Sequence, residues 1–449
     1  MASVFVRVIK SREVLALAFG AMVGWSWVAL TGVWIGHAGT AGAMLAFLLG
    51  GGALIFVGLA YAELAAAMPL VGGEHVYSGR ALGRGAAFVC TWAILLGYVS
   101  VVAFEAVALP TVLEYLWPGF SRGYLWTIAG WDVDATWVLT GALAAIAMIA
   151  INILGIRAAA RLQVLVVVIV LLSGIALAAG AAVNGELANA APAFRGGLAG
   201  TLSVLVMVPF MFVGFDVIPQ SAEEIDLPFA AIGRLLVLSI VLAIAWYALV
   251  IAAVAYGLPD TARGTAALPT ADASAAVLGG RWAGKLLVVG GIAGILTSWN
   301  AFLIGGSRAL YALAKAGQVP RTFAALHPRF HTPHRAILLT GGLAIVAPLC
   351  GRPAMVWLVD AGGLGIVTAY AMVALSFLVL RRREPDMERP YRVPHGRLVG
   401  SLAFAFSIAL ATLYLPWSPA ALAWPEEWLI IIAWSALGLA FYRLSGKRK

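Results

Sequence analysis

The chain has 449 residues, 63% of them hydrophobic and only 11% charged, with a formal net charge of +9. Soluble globular proteins run at roughly 45–50% apolar and about 25% charged residues, so this composition excludes one and indicates a polytopic membrane protein surrounded by lipid. The basic excess sits in short loops between apolar runs, where membrane topology accounts for it, and nucleic acid is excluded as a partner.

Taken in chain order, a basic tail (1–12) precedes an apolar run that lacks a small-residue cleavage site and therefore reads as a first span rather than a removable signal. Runs able to cross about 30 Å of hydrocarbon then recur near 13–36, 41–67, 85–116, 136–155, 162–184, 197–222, 233–257, 286–312, 336–351, 356–380, 399–416 and 427–442. The expected fold is all-α with twelve transmembrane helices. If the amino terminus is cytoplasmic, all basic residues face inward except Arg122, Arg195, Arg263, Arg281, Lys285 and Arg352. That bias sets both termini inside, in a cell inner (plasma) membrane. The longer stretches outside the spans, Pro259–Lys285, Lys315–Arg335 and Arg381–Leu398, hold no soluble domain. No nucleophile–base pair or metal-ligand spacing is visible, so neither an enzyme nor a metal site is expected. Cys90 and Cys350 fall near opposite faces, so no disulfide is expected between them.

Two spans are interrupted. In Val208-Pro-Phe-Met-Phe-Val-Gly-Phe-Asp-Val-Ile-Pro219, two prolines and Gly214 remove backbone hydrogen bonds, which a membrane helix tolerates only where it lines a cavity. Gly20-Ala-Met-Val-Gly24-Trp25-Ser26-Trp27 is the second weak point, and Val23-Gly24-Trp25 echoes Val213-Gly214-Phe215. Paired interrupted helices in the two halves of a chain point to a transporter with its site between the breaks. Freed N–H groups at Trp25 and Ser26 suit a carboxylate, and freed carbonyls near Phe210, Met211 and Val213 suit an ammonium. A close-packed helix contact at Gly20 and Gly24, with Phe210, Phe212 and Phe215 as ordinary packing aromatics, is the plainer reading.

These residues carry a resemblance. Gly20-x-x-Val-Gly24, Tyr61-Ala-Glu63-Leu with Pro69-Leu-Val-Gly72-Gly73-Glu-His-Val-Tyr77, Gly214-Phe-Asp216 with Glu223-Glu224-Ile-Asp-Leu-Pro228, Ser307-Arg308 through Pro320, and Arg389-Pro-Tyr-Arg-Val-Pro394 are similar to motifs of the amino acid–polyamine–organocation transporters. They occur in that family's order over nearly the whole chain. The resemblance implies a leucine-transporter-type fold of two inverted repeats, 13–184 and 197–380. A cytoplasmic loop (381–398), two peripheral helices (399–442) and a cytoplasmic tail (443–449) follow. It implies carboxylate binding at Gly24, Trp25 and Ser26, amine binding at Met22, Phe210, Met211 and Val213 beside Gly214 and Asp216, and an aromatic gate at Phe210. Trp25 and Trp27 depart from the pattern, which usually has small or aliphatic residues there. The two indoles either narrow the pocket and stack on a cation or pack outward against neighbouring helices.

Ion coupling stays open between a proton, sodium and none, and no cofactor is expected. Val170 falls where some relatives carry a lysine. Thr297-Ser298 has the hydroxyl chemistry of a sodium site, although such hydroxyls also bond back to their own helix. Glu105, deep in the third span, is costly there and is expected to face the bundle interior. It either carries a coupling proton or amine, or makes a structural hydrogen bond. Glu63, Glu223, Glu224, Arg80, Arg84, Arg234 and Arg308 gather at cytoplasmic span ends and are expected to form an inner ionic gate. The function expected is a permease for a small amino acid. A carrier for a carboxylate-free amine, polyamine-like or ethanolamine-like, is the alternative, and a transport-inactive sensor or assembly subunit a third reading.

Overall fold

The computed structural model describes residues 9–154 and 156–446, without the side chains of 156–162 and 446. Arg7, Lys447, Arg448 and Lys449, and the side chains of Arg157 and Arg161, lie outside the described residues.

The described chain is helical apart from one small hairpin. Ten helices are long and apolar enough to cross a membrane: Thr31–Ala67, Arg84–Leu116, Ala135–Leu154, Gln163–Asn184, Gly197–Gln220, Phe229–Gly257, Arg281–Lys315, Ala354–Arg383, Gly396–Leu413 and Glu426–Ser445. We number α1 Ser11–Met22, α2 Ser26–Ala29, α3 Thr31–Ala67, α4 Glu74–Leu82, α5 Arg84–Leu116, α6 Ala135–Leu154 and α7 Ile156–Asn184. Next come α8 Gly197–Leu205, α9 Val208–Phe212, α10 Val217–Gln220, α11 Phe229–Gly257, α12 Asp260–Thr265, α13 Pro269–Val277 and α14 Arg281–Lys315. The last four are α15 His334–Val346, α16 Ala354–Arg383, α17 Gly396–Leu413 and α18 Glu426–Gly446.

Two expected segments take other forms. The stretch expected as a first span is divided: α1 stops at Met22, and the chain from Thr31 runs into the second span as one assigned helix. No loop separates them. A bend at Gly39, with φ 75° and ψ 172°, does the turning. There a Cβ would lie 2.7 Å from the Ala193 carbonyl oxygen, so only glycine fits both the dihedral and the space. The ninth segment, α15 with a 3₁₀ turn to Cys350, is shorter than the others.

Burial orders the bundle. α5 and α14 are the most enclosed, their apolar windows 89% and 83% buried, against 11% for α18. α3 packs on α11, α5 on α14, α6 on α15 and α1 on α10; α5 also packs on α16 and α14 on α7. Apolar side chains leave most of α18 exposed, as a helix facing lipid tolerates.

The loops divide by charge. One face carries Arg80, Arg84, Arg308, Lys315 and the Arg381–Arg383 run, and we call it the basic face. There Glu63 is held by Arg381 and Arg389, Arg308 by Glu224, and Arg80 by Glu384. The expected ionic cluster is thus partly re-paired: Glu63 takes partners from α16 and the loop after it, Arg84 donates to the Gly317 carbonyl, and Glu223 accepts from the Val71 N–H. Ile9 forms a single parallel bridge with Ile225, through Ile9 N–H to the Glu224 carbonyl (3.1 Å) and Asp226 N–H to the Ile9 carbonyl (2.9 Å). The opposite face holds α12, α13 and an antiparallel hairpin, β1 Tyr124–Ile128 and β2 Trp131–Asp134. Its two-residue turn, Ala129-Gly130, has φ of 47° and 74°, the pairing that suits a tight hairpin.

Candidate functional site

The two interruptions meet. α1 ends at Met22 and α2 begins at Ser26; across from them α9 ends at Phe212 and α10 begins at Val217. Gly214, at φ 136°, is the point of contact. A Cβ there would lie 2.7 Å from Ala21 Cβ and 3.0 Å from the Met22 nitrogen. Asp216 fixes the second break: its Oδ1 accepts the Gly214 N–H at 2.7 Å and its Oδ2 accepts the Tyr98 hydroxyl at 2.8 Å. A short acidic side chain bonding back two residues holds a turn open against the helix that would otherwise re-form.

Each pole freed by the breaks faces a side chain from a third helix. The Trp25 N–H points at the Glu105 carboxyl, which also accepts the Ser298 hydroxyl. A Cβ at Gly24 would lie 2.6 Å from both Glu105 Oε1 and Ser298 Oγ. The second carboxyl oxygen, Oε2, is buried and has no partner among the described residues. On the other side the Tyr247 hydroxyl of α11 lies 2.5 Å from the Met22 carbonyl oxygen, 3.2 Å from that of Met211 and 3.2 Å from Ser26 Oγ. Its single proton serves one carbonyl at a time. Glu105 thus stands where a ligand's anionic group would meet the α2 amides, and Tyr247 where a ligand's donor would meet the α1 and α9 carbonyls. The arrangement sets one carboxyl group and one hydroxyl on either side of the two breaks.

The remaining expected residues fall around this centre. Phe210 is buried edge-on to Phe104, with ring centroids 5.9 Å apart, and its ring lies 3.1 Å from where a Cβ at Gly362 would be. The Trp25 indole packs on α14, 2.1 Å from a Cβ built at Gly291, and the Trp27 indole stands edge-on to Trp246 at 5.2 Å. Thr297 Oγ lies 3.0 Å from the Gly20 carbonyl oxygen and 2.8 Å from that of Gly294 in its own helix. Gln163 reaches between the same two helices, its amide nitrogen 3.4 Å from the Ala16 carbonyl oxygen and 3.3 Å from that of Thr297. The structure therefore brings Met22, Gly24, Ser26, Glu105, Met211, Gly214 and Ser298 together, and turns the two indoles to helices flanking them. Val213 continues the turn, donating its N–H to the Pro209 carbonyl at 3.0 Å.

Tyr247 and Tyr98 were not singled out by sequence reasoning. The signal available was a hydroxyl inside an apolar span, which needs a partner once buried. Tyr247→Phe is expected to destabilise the fold by about 1–3 kcal/mol, since it strips a donor from buried carbonyls. Thermal unfolding in detergent checks this, and an unchanged midpoint would count against the bridge. Towards the opposite face, about two to three turns of α5 beyond Glu105, a cavity of about 280 Å³ is lined by Thr111, Glu114, Tyr115, Asp272, Arg281 and Arg352. Tyr115 donates to Asp272 there at 2.7 Å.

Known proteins resemble the chain along nearly its whole length. The sequence family described as amino acid permease matches residues 10–440. The chain is 25% identical to the branched-chain amino acid permease of Bacillus subtilis, over 98% of this chain and 93% of that protein. It is equally 25% identical to the methylthioribose transporter of the same organism, over 98% and 94%. The aspartate–proton symporter of Bacillus subtilis is 25% identical over 88% of this chain and 77% of its own length.

Proposed function

Because the chain belongs to the amino acid permease family, we propose that it is a secondary transporter that carries a small amino acid across the membrane by alternating access, holding it between α1–α2 and α9–α10. It is a transporter rather than an enzyme, as its relatives are. The observation that carries the substrate reading is the contact of the two broken helices at Gly214 and Met22, with the start of α2 and the end of α9 breaking their hydrogen-bond ladders on either side. An α-amino acid offers a carboxylate for the one pole and an ammonium for the other.

The layout supports the reading. The segment Ser11–Ala29 and the short α15 count as the two spans beyond the ten long helices, giving twelve. α3 on α11, α5 on α14, α6 on α15 and α1 on α10 each join a helix to its counterpart in the other repeat, and α5 on α16 is matched by α14 on α7. Repeats 13–184 and 197–380 related by a two-fold axis in the membrane plane produce such matched contacts. The basic face is cytoplasmic under the positive-inside rule, with both termini on that side of a plasma membrane. The pocket over the opposite face is then the outer entrance, with Phe210 the aromatic gate below it.

A second reading, a carrier for an amine without a carboxylate, is favoured by one observation: the Glu105 carboxyl group already occupies the place beside Gly24 and Ser298 at the first break. A thermal-stability panel on purified protein separates the two. Small zwitterions are expected to stabilise by about 2.7 kcal/mol at 100 times their dissociation constant. Methyl esters and decarboxylated analogues that stabilise equally well would remove the amino acid reading. A shift that requires sodium would assign Thr297 and Ser298 to the ion.

A further inference from the structure

A second acid lies buried outside the site. Glu74 opens α4, after Gly72 and Gly73 at φ 99° and 34° have folded the chain inward, and it has no solvent exposure. The Gln220 amide at the end of α10 donates to Glu74 Oε2, while Glu74 Oε1 and Gln220 Oε1 are buried with no partner among the described residues. The titratable groups facing Glu74 are Tyr61 of α3, Tyr77 of α4, Cys90 and Tyr98 of α5, Asp216 beside α10 and Tyr370 of α16. None of these is a cation. Arg308 on the adjoining α14 is engaged by Glu224, and Arg381 and Arg389 by Glu63.

Two carboxylates enclosed with no cation facing them among the described residues cannot both stay ionised, because the desolvation cost and their mutual repulsion add. One proton at least must be held between them while the basic face is closed. Asp216 accepts two good donors, the setting of a charged carboxylate. Glu74 has the Gln220 amide on Oε2, with its own N–H and the Tyr61 hydroxyl beside it, and these are outweighed by full burial next to Asp216. Burial, with the Asp216 charge adding to it, pushes the Glu74 carboxyl up from the ordinary range. The proton therefore belongs on Glu74.

We propose that Glu74 is a proton-binding site of the transport cycle, loaded while the basic face is closed and discharged when that face opens. The transport part rests on the permease reading. The step is a simple ionisation: opening brings water to the carboxyl, its O–H bond breaks, the proton passes to that water and the carboxylate remains. Closure against Asp216 restores the proton. Nothing is oxidised or reduced.

The test reads the proton directly. Infrared spectra of the purified protein over a pH series should show a component of the neutral-carboxyl C=O band that fades on alkalinisation, that Glu74→Gln lacks at every pH and that Glu105→Gln keeps. The wild type should also lose thermal stability as pH rises from the ordinary carboxylate range through the raised value, because the folded state holds the extra proton. Glu74→Gln, a neutral isostere, should fold and lose that slope. A variant that keeps the whole band, a variant that fails to fold, or a band abolished by added sodium or potassium at constant pH would each overturn the proposal. In proteoliposomes, Glu74→Gln should keep L-alanine or L-leucine counterflow but lose stimulation by an inward proton gradient. If wild type shows no counterflow with any panel ligand, the permease reading falls while the infrared result still decides Glu74.

Discussion

Gly214→Ala is expected to abolish uptake and to lower stability by several kcal/mol. Two effects combine. The backbone at φ 136° is open to glycine and strained by about 1–3 kcal/mol for a residue with a Cβ. The added methyl also lands 2.7 Å from Ala21 Cβ and 3.0 Å from the Met22 nitrogen. Overpacking of this kind costs about 1–3 kcal/mol where the neighbours cannot move. Here the obstacle is the backbone of the other broken helix, so relief comes only by parting the two breaks. Ligand-induced stabilisation should vanish even at a temperature where the variant is still folded. Retained stabilisation with wild-type affinity would show that the ligand is not held between α1 and α9.

Glu63→Ala is the second large effect, expected to destabilise by about 3–5 kcal/mol. Arg381 grips the Glu63 carboxylate through Nε at 2.9 Å and Nη2 at 2.5 Å, Arg389 adds Nε at 3.0 Å, and the Val393 N–H donates at 2.8 Å. Glu63 is 1% exposed, and the side chains of Arg381 and Arg389 are 15% and 6% exposed. Removing the acid leaves two guanidinium groups enclosed without a counter-charge, which is why loss of one partner is so much worse than absence of the whole cluster. Glu63→Gln should fall between, because it keeps the size and one acceptor. Denaturation in detergent measures both. An alanine variant within about 1 kcal/mol of wild type would mean that the cluster behaves like an exposed ion pair.

The broken helices were legible because their cause is local. Pro209 and Pro219 lack N–H groups and Gly214 lacks a Cβ, so the missing hydrogen bonds can be counted along the chain. The partners that fill those gaps were not, because Tyr247 and Tyr98 come from distant helices and a tyrosine in an apolar run reads as packing. Glu63 illustrates the same limit: sign and position put it among the basic span ends, but the choice of Arg381, far along the chain, follows from how α3 and α16 meet. The bend at Gly39 escaped because the small residues near 36–42 look like a loop, while helix geometry on both sides of one permissive glycine needs no loop. The hairpin at 124–134 lay in a stretch too short to register beside spans of about twenty residues, although its Ala129-Gly130 turn carries a hairpin's backbone requirement.

The bridge between Ile9 and Ile225 gives the start of the chain a mechanical part. α1 begins at Ser11 and α10 ends at Gln220, so the clasp yokes the basic-face halves of both broken helices within a few residues of their tips. Two half-helices joined at the breaks by Gly214 and at their tips by this clasp form a closed frame. Such a frame swings as one lever, or it must first unlatch. Ile9 and Lys10 therefore tie the movement of α1 to that of α10 for as long as the bridge holds.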